Sequence, residues 1–428
     1  MFKKLKPKTE FGYNVFTLVI GTSIAQAIPI AISPILTRIY TPENFGLFAL
    51  YMSVVALLAV AATGRYELAI MLPKHDADAD ALVVLSAFIT IIFSLCIFLI
   101  VFFFNNSITH LLGNPEISPW LYTLPLSVLF VGFYNTLNYW LNRHKRYSTM
   151  SKNRVAQSLI TGGGQLSIGM TTTATGGLII SVLLGQFLTT LMLSKQFISQ
   201  PRNTITQWFN FKKTKVLACK YKNHPLHLLP AQWLGVIAIQ IPIFIISSAF
   251  GAMATGFYSM AQRLISLPTF LVANAIGDVY RQQANAAYQE QGQFRSLFIK
   301  TLLKTTMIAI IPFLILYIIA PDLFALILGE KWRIAGEYAR IITIASFFQF
   351  IFTPVDKGAL IVGATTYILY WHLARLILLG VLFVFILIKR DNVTIEVIIW
   401  IIASINICLY LFDGFMEYNF SRQTKERK

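Results

Sequence analysis

Residues 81–104 read ALVVLSAFITIIFSLCIFLIVFFF, an apolar run without a single charged side chain. A helix needs roughly 20 such residues to cross the hydrocarbon of a bilayer, so this stretch predicts a membrane span. Similar blocks recur on both sides of it. Blocks of this length predict about twelve helices: 13–36, 45–63, 81–104, 119–141, 155–173, 177–195, 229–250, 255–278, 301–320, 338–355, 366–388 and 394–416. The fifth is the least apolar, diluted by Gly162–Gly164 and Thr171–Thr173. Composition agrees, with 56% hydrophobic residues, 12% charged and a mean hydropathy of +0.65. A soluble domain has about 25% charged residues. The expected class is an all-α integral membrane protein.

The net charge of +17 could suggest nucleic acid, but the basic residues sit in short gaps between apolar blocks. That distribution is the positive-inside pattern of a membrane protein, and no nucleic-acid partner is expected. Lysines and arginines crowd into every second gap. One side receives Lys3–Lys8, Arg65, Lys74, Arg143–Arg154, Lys212–Lys222, Arg281–Lys304 and Arg422–Lys428. Both termini are therefore expected in the cytoplasm, with an even number of helices. Ala25-Gln26-Ala27 resembles a signal-peptidase site, but the apolar run continues to Ile39, so this segment reads as the first membrane helix.

The basic connection 201–228 divides the chain into an expected N-terminal bundle, 1–200, and a C-terminal bundle, 229–428. Six helices in each half give the halves one orientation, as parallel repeats require. Phe45–Ala49 has a faint counterpart in Thr255–Ser259, and Asn142-Arg143 in Asp356-Lys357, at offsets near 210 residues. Local chemistry marks the first reversal: Thr41-Pro42-Glu43 supplies an N-cap, a proline at the first helical position and an acid in the first turn. Pro29, Pro34 and Pro242 remove backbone donors and predict kinked or loosened helices.

No enzyme constellation is present: HExxH, CxxC, P-loop and GxSxG are all absent, so no catalytic residue and no cofactor is expected. Cys96, Cys219 and Cys408 imply no disulfide framework, and His224 and His227 lack the partners a metal needs. The remaining signal is polar groups at membrane depth. Such charges are costly and usually face protein or a water-filled cavity. Arg263 and Arg375 are the clearest, with His372 three residues before Arg375 on the same helical face. Arg38, Arg65, Asp278 and Lys357 sit nearer helix ends, where long side chains can reach the interface. Parallel repeats, cations at depth and no nucleotide site read as a secondary transporter for an anionic substrate.

Pro34-Ile35-Leu36-Thr37-Arg38-Ile39-Tyr40-Thr41-Pro42-Glu43-Asn44-Phe45-Gly46 resembles the first-loop motif of bacterial polysaccharide exporters. These are repeat-unit flippases of the multidrug/oligosaccharidyl-lipid/polysaccharide exporter superfamily. Gly64–Ala69 with Leu72-Pro73 resembles the second-loop motif. Tyr221–Asp278, with Pro225, Pro242, Gly256, Arg263 and Pro268, is similar as well. The resemblance implies a MATE-like, V-shaped pair of six-helix bundles in the bacterial cytoplasmic (inner) membrane, alternating between inward- and outward-open states. It implies export of O-antigen, capsule or exopolysaccharide units on undecaprenyl pyrophosphate, with the lipid tail left in the bilayer. Implied partners are that lipid-linked oligosaccharide, membrane lipids, a coupling H+ or Na+ and the polysaccharide polymerase machinery. On this reading Arg38, Arg65, Arg263, Arg375 and Lys357 are the substrate-side candidates, and Asp278, Asp356 and His372 the ion-coupling ones. A drug/cation antiporter of the same superfamily calls for a more acidic cavity. A membrane glycosyl polymerase or ligase calls for a large outer loop with catalytic residues.

Overall fold

The computed structural model describes residues 10–171, 174–199, 211–389 and 393–423. Lys3–Lys8, Lys425–Lys428 and the first part of the 201–228 connection lie outside the described residues. Among the described residues the fold is all-helical, without strands. Among the described residues nine stretches are long and apolar enough to cross a bilayer, or ten if one bent pair is a single crossing. Contacts divide the chain into two compact units, Met1–Val236 and Ile237–Lys428.

In the first unit the helices are α1 (Glu10–Ala31), α2 (Ser33–Ile39), α3 (Pro42–Ala61), α4 (Tyr66–Ala69), α5 (Asp76–Leu112), α6 (Ser118–Leu121), α7 (Leu124–Arg143), α8 (Tyr147–Thr171), α9 (Gly176–Ile198) and α10 (Phe211–Lys220). The expected first span is broken at Ile32, between Pro29 inside α1 and Pro34 at the start of α2. Ser33 Oγ donates to the Pro29 carbonyl at 2.6 Å across the break. The third span is longer than its apolar core. Asp76, Asp78 and Asp80 add an acidic first turn and a half, which the helix N-terminus favours. The fourth is two pieces, with a bend of 54° between 115–121 and 124–143.

α1, α8 and α9 pack side by side, and α7 packs between α5 and α9. The core at one end joins Tyr66, Leu82, Trp140, Leu141, Phe197 and Leu217. Trp140 Nε1 donates to Asp80 at 2.9 Å. Phe102, Phe103 and Leu99 on α5 stay exposed, Phe103 by 70%. An apolar belt of this kind is what lipid contact requires.

α11 (Leu229–Ile265) runs from the first unit into the second. There follow α12 (Asn274–Gln291), α13 (Arg295–Leu328), α14 (Arg333–Phe352), α15 (Gly358–Val362), α16 (Thr365–Lys389) and α17 (Ile395–Arg422). α11 is two helices fused across Gly251, whose φ of 80° and ψ of −172° only glycine adopts without strain. That residue separates the expected seventh and eighth spans. Pro242 sits inside a continuous stretch of α11, so its effect is a missing donor for the Ala238 carbonyl rather than a break. α11 continues through a π-helical turn, Thr269–Ala273, into α12. α13 packs on α14, and α14 on α17.

Candidate functional site

The two sequence motifs turn out to be joints. Thr41 caps α3: its hydroxyl accepts from Asn44 N at 3.4 Å, while Asn44 Oδ1 accepts from Thr41 N at 3.1 Å. Pro42 occupies the first turn as expected. Asn44 then donates to Thr175 at 3.1 Å, and Tyr40 donates to the Gln165 carbonyl at 2.8 Å, so the loop is fastened to α8 and α9. Gly177 is required beside Tyr40, because a Cβ there would fall 2.3 Å from its hydroxyl. Arg38, in the last turn of α2, is exposed.

In the second motif Gly64 and Arg65 both take left-handed backbone, at φ 60° and 63°. The turn drops Glu67 into the interior, 1% exposed, where it accepts from Thr63 and, at 3.1 Å, from Arg65. Arg65 is therefore held by a carboxylate within its own loop. Tyr66 donates to the Ala218 carbonyl on α10 at 3.1 Å, and burial holds its phenol above the ordinary value.

The second unit contains a cavity of about 380 Å³ with both polar and aliphatic walls, the latter from Ile239, Ile243, Ile342, Ile399 and Ile402. Tyr258 and Gln262 reach it from α11, Gln349 from α14, Arg375 from α16, and Asn406 and Tyr410 from α17. Among the described residues Arg375 is its only charged lining residue. Its guanidinium lies 5.8 Å from the centre of the Trp371 ring, a cation–π distance. Among the described residues it makes no ion pair, and its buried Nε has no hydrogen-bond partner. His372, one turn earlier, is half-buried with an unpartnered Nδ1. Arg263 is half-buried near the end of α11, between Gln262 of that helix and Ser266 just beyond it, which both line the cavity, without lining it itself.

A second polar place in this unit gathers carboxylates. Asp356 pairs with its neighbour Lys357. Asp413 accepts from the Tyr367 hydroxyl at 2.7 Å. Glu417, 2% exposed, accepts from the Ala359 N–H at 3.2 Å, and its other oxygen has no partner. Tyr280, also 2% exposed, has an unpartnered hydroxyl within electrostatic reach of Glu417 and Asp356. Tyr410 is within reach of Arg375, Asp356 and Asp413, which links this cluster to the cavity. Asp278 is exposed on α12 and does not join it.

Sequence reasoning had placed Asp356 and missed Asp413 and Glu417. The signal was present: two carboxylates four residues apart in an otherwise apolar helix occupy one face.

Residues 35–336 match the family described as Polysaccharide biosynthesis protein. The chain belongs to that family. It is 24% identical over 347 residues to the succinoglycan biosynthesis transport protein ExoT of Rhizobium meliloti (strain 1021), covering 80% of this chain and 67% of that protein. Solved structures share the fold. The lipid II flippase MurJ, in an inward closed conformation, superposes with a TM-score of 0.72 at 13% identity, over 94% of this chain and 87% of that one. An inward-facing MATE-family multidrug resistance transporter of the MOP superfamily superposes at 0.68 with 15% identity, over 94% of each chain. A MOP superfamily transporter from Pyrococcus furiosus, whose binding pocket is described as having reverse polarity, superposes at 0.61 with 15% identity, over 96% and 97%. This member of the polysaccharide biosynthesis family is thus a multi-pass membrane protein with a MATE-like fold, and a transport protein rather than an enzyme.

Proposed function

We propose that this protein flips undecaprenyl-pyrophosphate-linked oligosaccharide repeat units from the cytoplasmic to the periplasmic leaflet of the bacterial inner membrane by alternating access. Twelve crossings with both termini in the cytoplasm fit this reading, counting α8 as a crossing and Gly251 as a turn. The observation that carries it, beside family membership, is the Arg375 cavity. An unpaired guanidinium among neutral hydrogen-bonding groups, on a helix that is otherwise largely apolar around it, is a costly arrangement that only a ligand or water offsets. Its charge disfavours a cationic drug as cargo, since like charges repel strongly where water is scarce. Arg263 and Arg38 remain substrate-side groups without a protein partner to occupy them among the described residues.

Coupling is assigned to the carboxylate cluster. Asp356, Asp413 and Glu417 are three acids gathered beside one amine, Lys357, a grouping in which a proton can be exchanged. Uptake and release of that proton would alter the hold of Glu417 on α15. His372 is a second proton-accepting group beside Arg375.

Deletion of the gene tests the reading. Surface polysaccharide should be lost and lipid-linked repeat units should accumulate on the cytoplasmic leaflet, with both restored by the wild-type gene. Normal surface polymer, no accumulated intermediate and no redundant exporter would refute it.

A further inference from the structure

Three observations on the Arg375 cavity go beyond a general preference for anions. The first is stoichiometry of charge. Arg375 is the only charged lining residue among the described ones, and it balances one negative charge. A pyrophosphate carries more than one, and the excess would stay uncompensated in a poorly hydrated site. The second is the wall. Tyr258, Gln262, Gln349, Asn406 and Tyr410 present hydroxyls and amides, groups that both donate and accept. Among the described residues, the side chains of Tyr258, Gln262, Gln349 and Tyr410 make no hydrogen bond to the protein, although Tyr258 is only 5% exposed. The third is size. About 380 Å³ is at the small end of ligand clefts, room for about a dozen waters at roughly 30 Å³ each. That suits one or two sugar rings and not a whole repeat unit.

We propose that this cavity is a subsite for a single acidic sugar, a pyranose bearing one carboxylate. The planar guanidinium of Arg375 forms the fork that a carboxylate accepts from. The neutral side chains around it satisfy ring hydroxyls in both hydrogen-bonding senses. The cation–π contact with Trp371 favours this position of the guanidinium without using up its N–H groups. The subsite rests on the flippase reading for its cargo, but its chemistry is measurable without transport.

The probes are methyl glucuronide, methyl glucoside and inorganic pyrophosphate. Each is titrated at constant ionic strength against the purified full-length protein in nanodiscs, with thermal shift as the readout. The expected result is saturable stabilisation by the glucuronide at least tenfold tighter than by the glucoside. Arg375→Gln should erase that preference and Arg375→Lys should keep part of it. Equal response to the two sugars in the wild-type protein would overturn the proposal, whether or not the variants fold. So would a preference that survives in Arg375→Gln. Pyrophosphate binding more tightly than the glucuronide at this site would assign it to the carrier linkage and also overturn it. Failure of the wild-type gene to restore export in the deletion strain would refute the flippase reading while leaving the sugar preference standing.

Discussion

Arg65 in the first unit and Arg375 in the second are both partly buried guanidiniums, and the fold treats them in opposite ways. Arg65 is placed by two consecutive left-handed residues so that Glu67 can hold it, and Glu67 is in turn held by Thr63. Arg375 faces tyrosines and amides and has no carboxylate beside it among the described residues. A paired charge belongs to the architecture, because removing either member leaves the other stranded. An unpaired charge at the wall of a cavity is held ready for something else. Glu417 is intermediate: one oxygen caps α15 through Ala359 and the other is free.

This contrast can be broken by stability measurements on three positions. Glu67→Ala should be the most damaging, costing about 3–5 kcal/mol by stranding Arg65, and seen as a large drop in melting temperature or in membrane-inserted protein. If it melts like the wild type, the Arg65 pair is not structural. Glu417→Ala should cost less, about 1–3 kcal/mol, because it orphans the buried Ala359 N–H. Glu417→Gln keeps that acceptor and should fold normally, yet export should stop responding to collapse of the proton gradient. A retained response would move coupling away from the cluster. Arg375→Gln should change melting least, since no protein group loses a hydrogen bond or ion pair and only the Trp371 ring loses a cation–π contact. A strong destabilisation there would erase the distinction between the two arginines.

What was legible in the sequence follows the range of the physics involved. The cap at Thr41-Pro42 and most of the apolar blocks are local, and they appear in the fold where the sequence puts them; the fifth block is helical but not apolar enough to count as a span, and the seventh and eighth are fused in α11. The break at Ile32 was readable as a consequence of Pro29 and Pro34, though not its position. Arg375 and His372 stood out because a charge within an apolar helix is costly wherever the helix packs. Asp413 and Glu417 obey the same rule but lie near the end of α17, where a charged side chain reads as an interface group. Their partners Tyr367 and Ala359 lie 46 and 58 residues away, and only the fold joins them. The resemblance motifs misdirect in one respect. They are the most specific strings in the chain, yet Tyr40, Thr41, Asn44 and Glu67 are occupied with fastening loops. The cavity is built mainly from residues outside them.

The central claim is that Arg375 serves cargo and not the fold. It is tested most directly by following lipid-linked repeat units across the two leaflets of spheroplasts from the deletion strain carrying Arg375→Gln. The account predicts normal insertion of the variant, with the units confined to the cytoplasmic leaflet as in the deletion itself. Wild-type appearance of those units on the outer leaflet, at equal protein level, would contradict it.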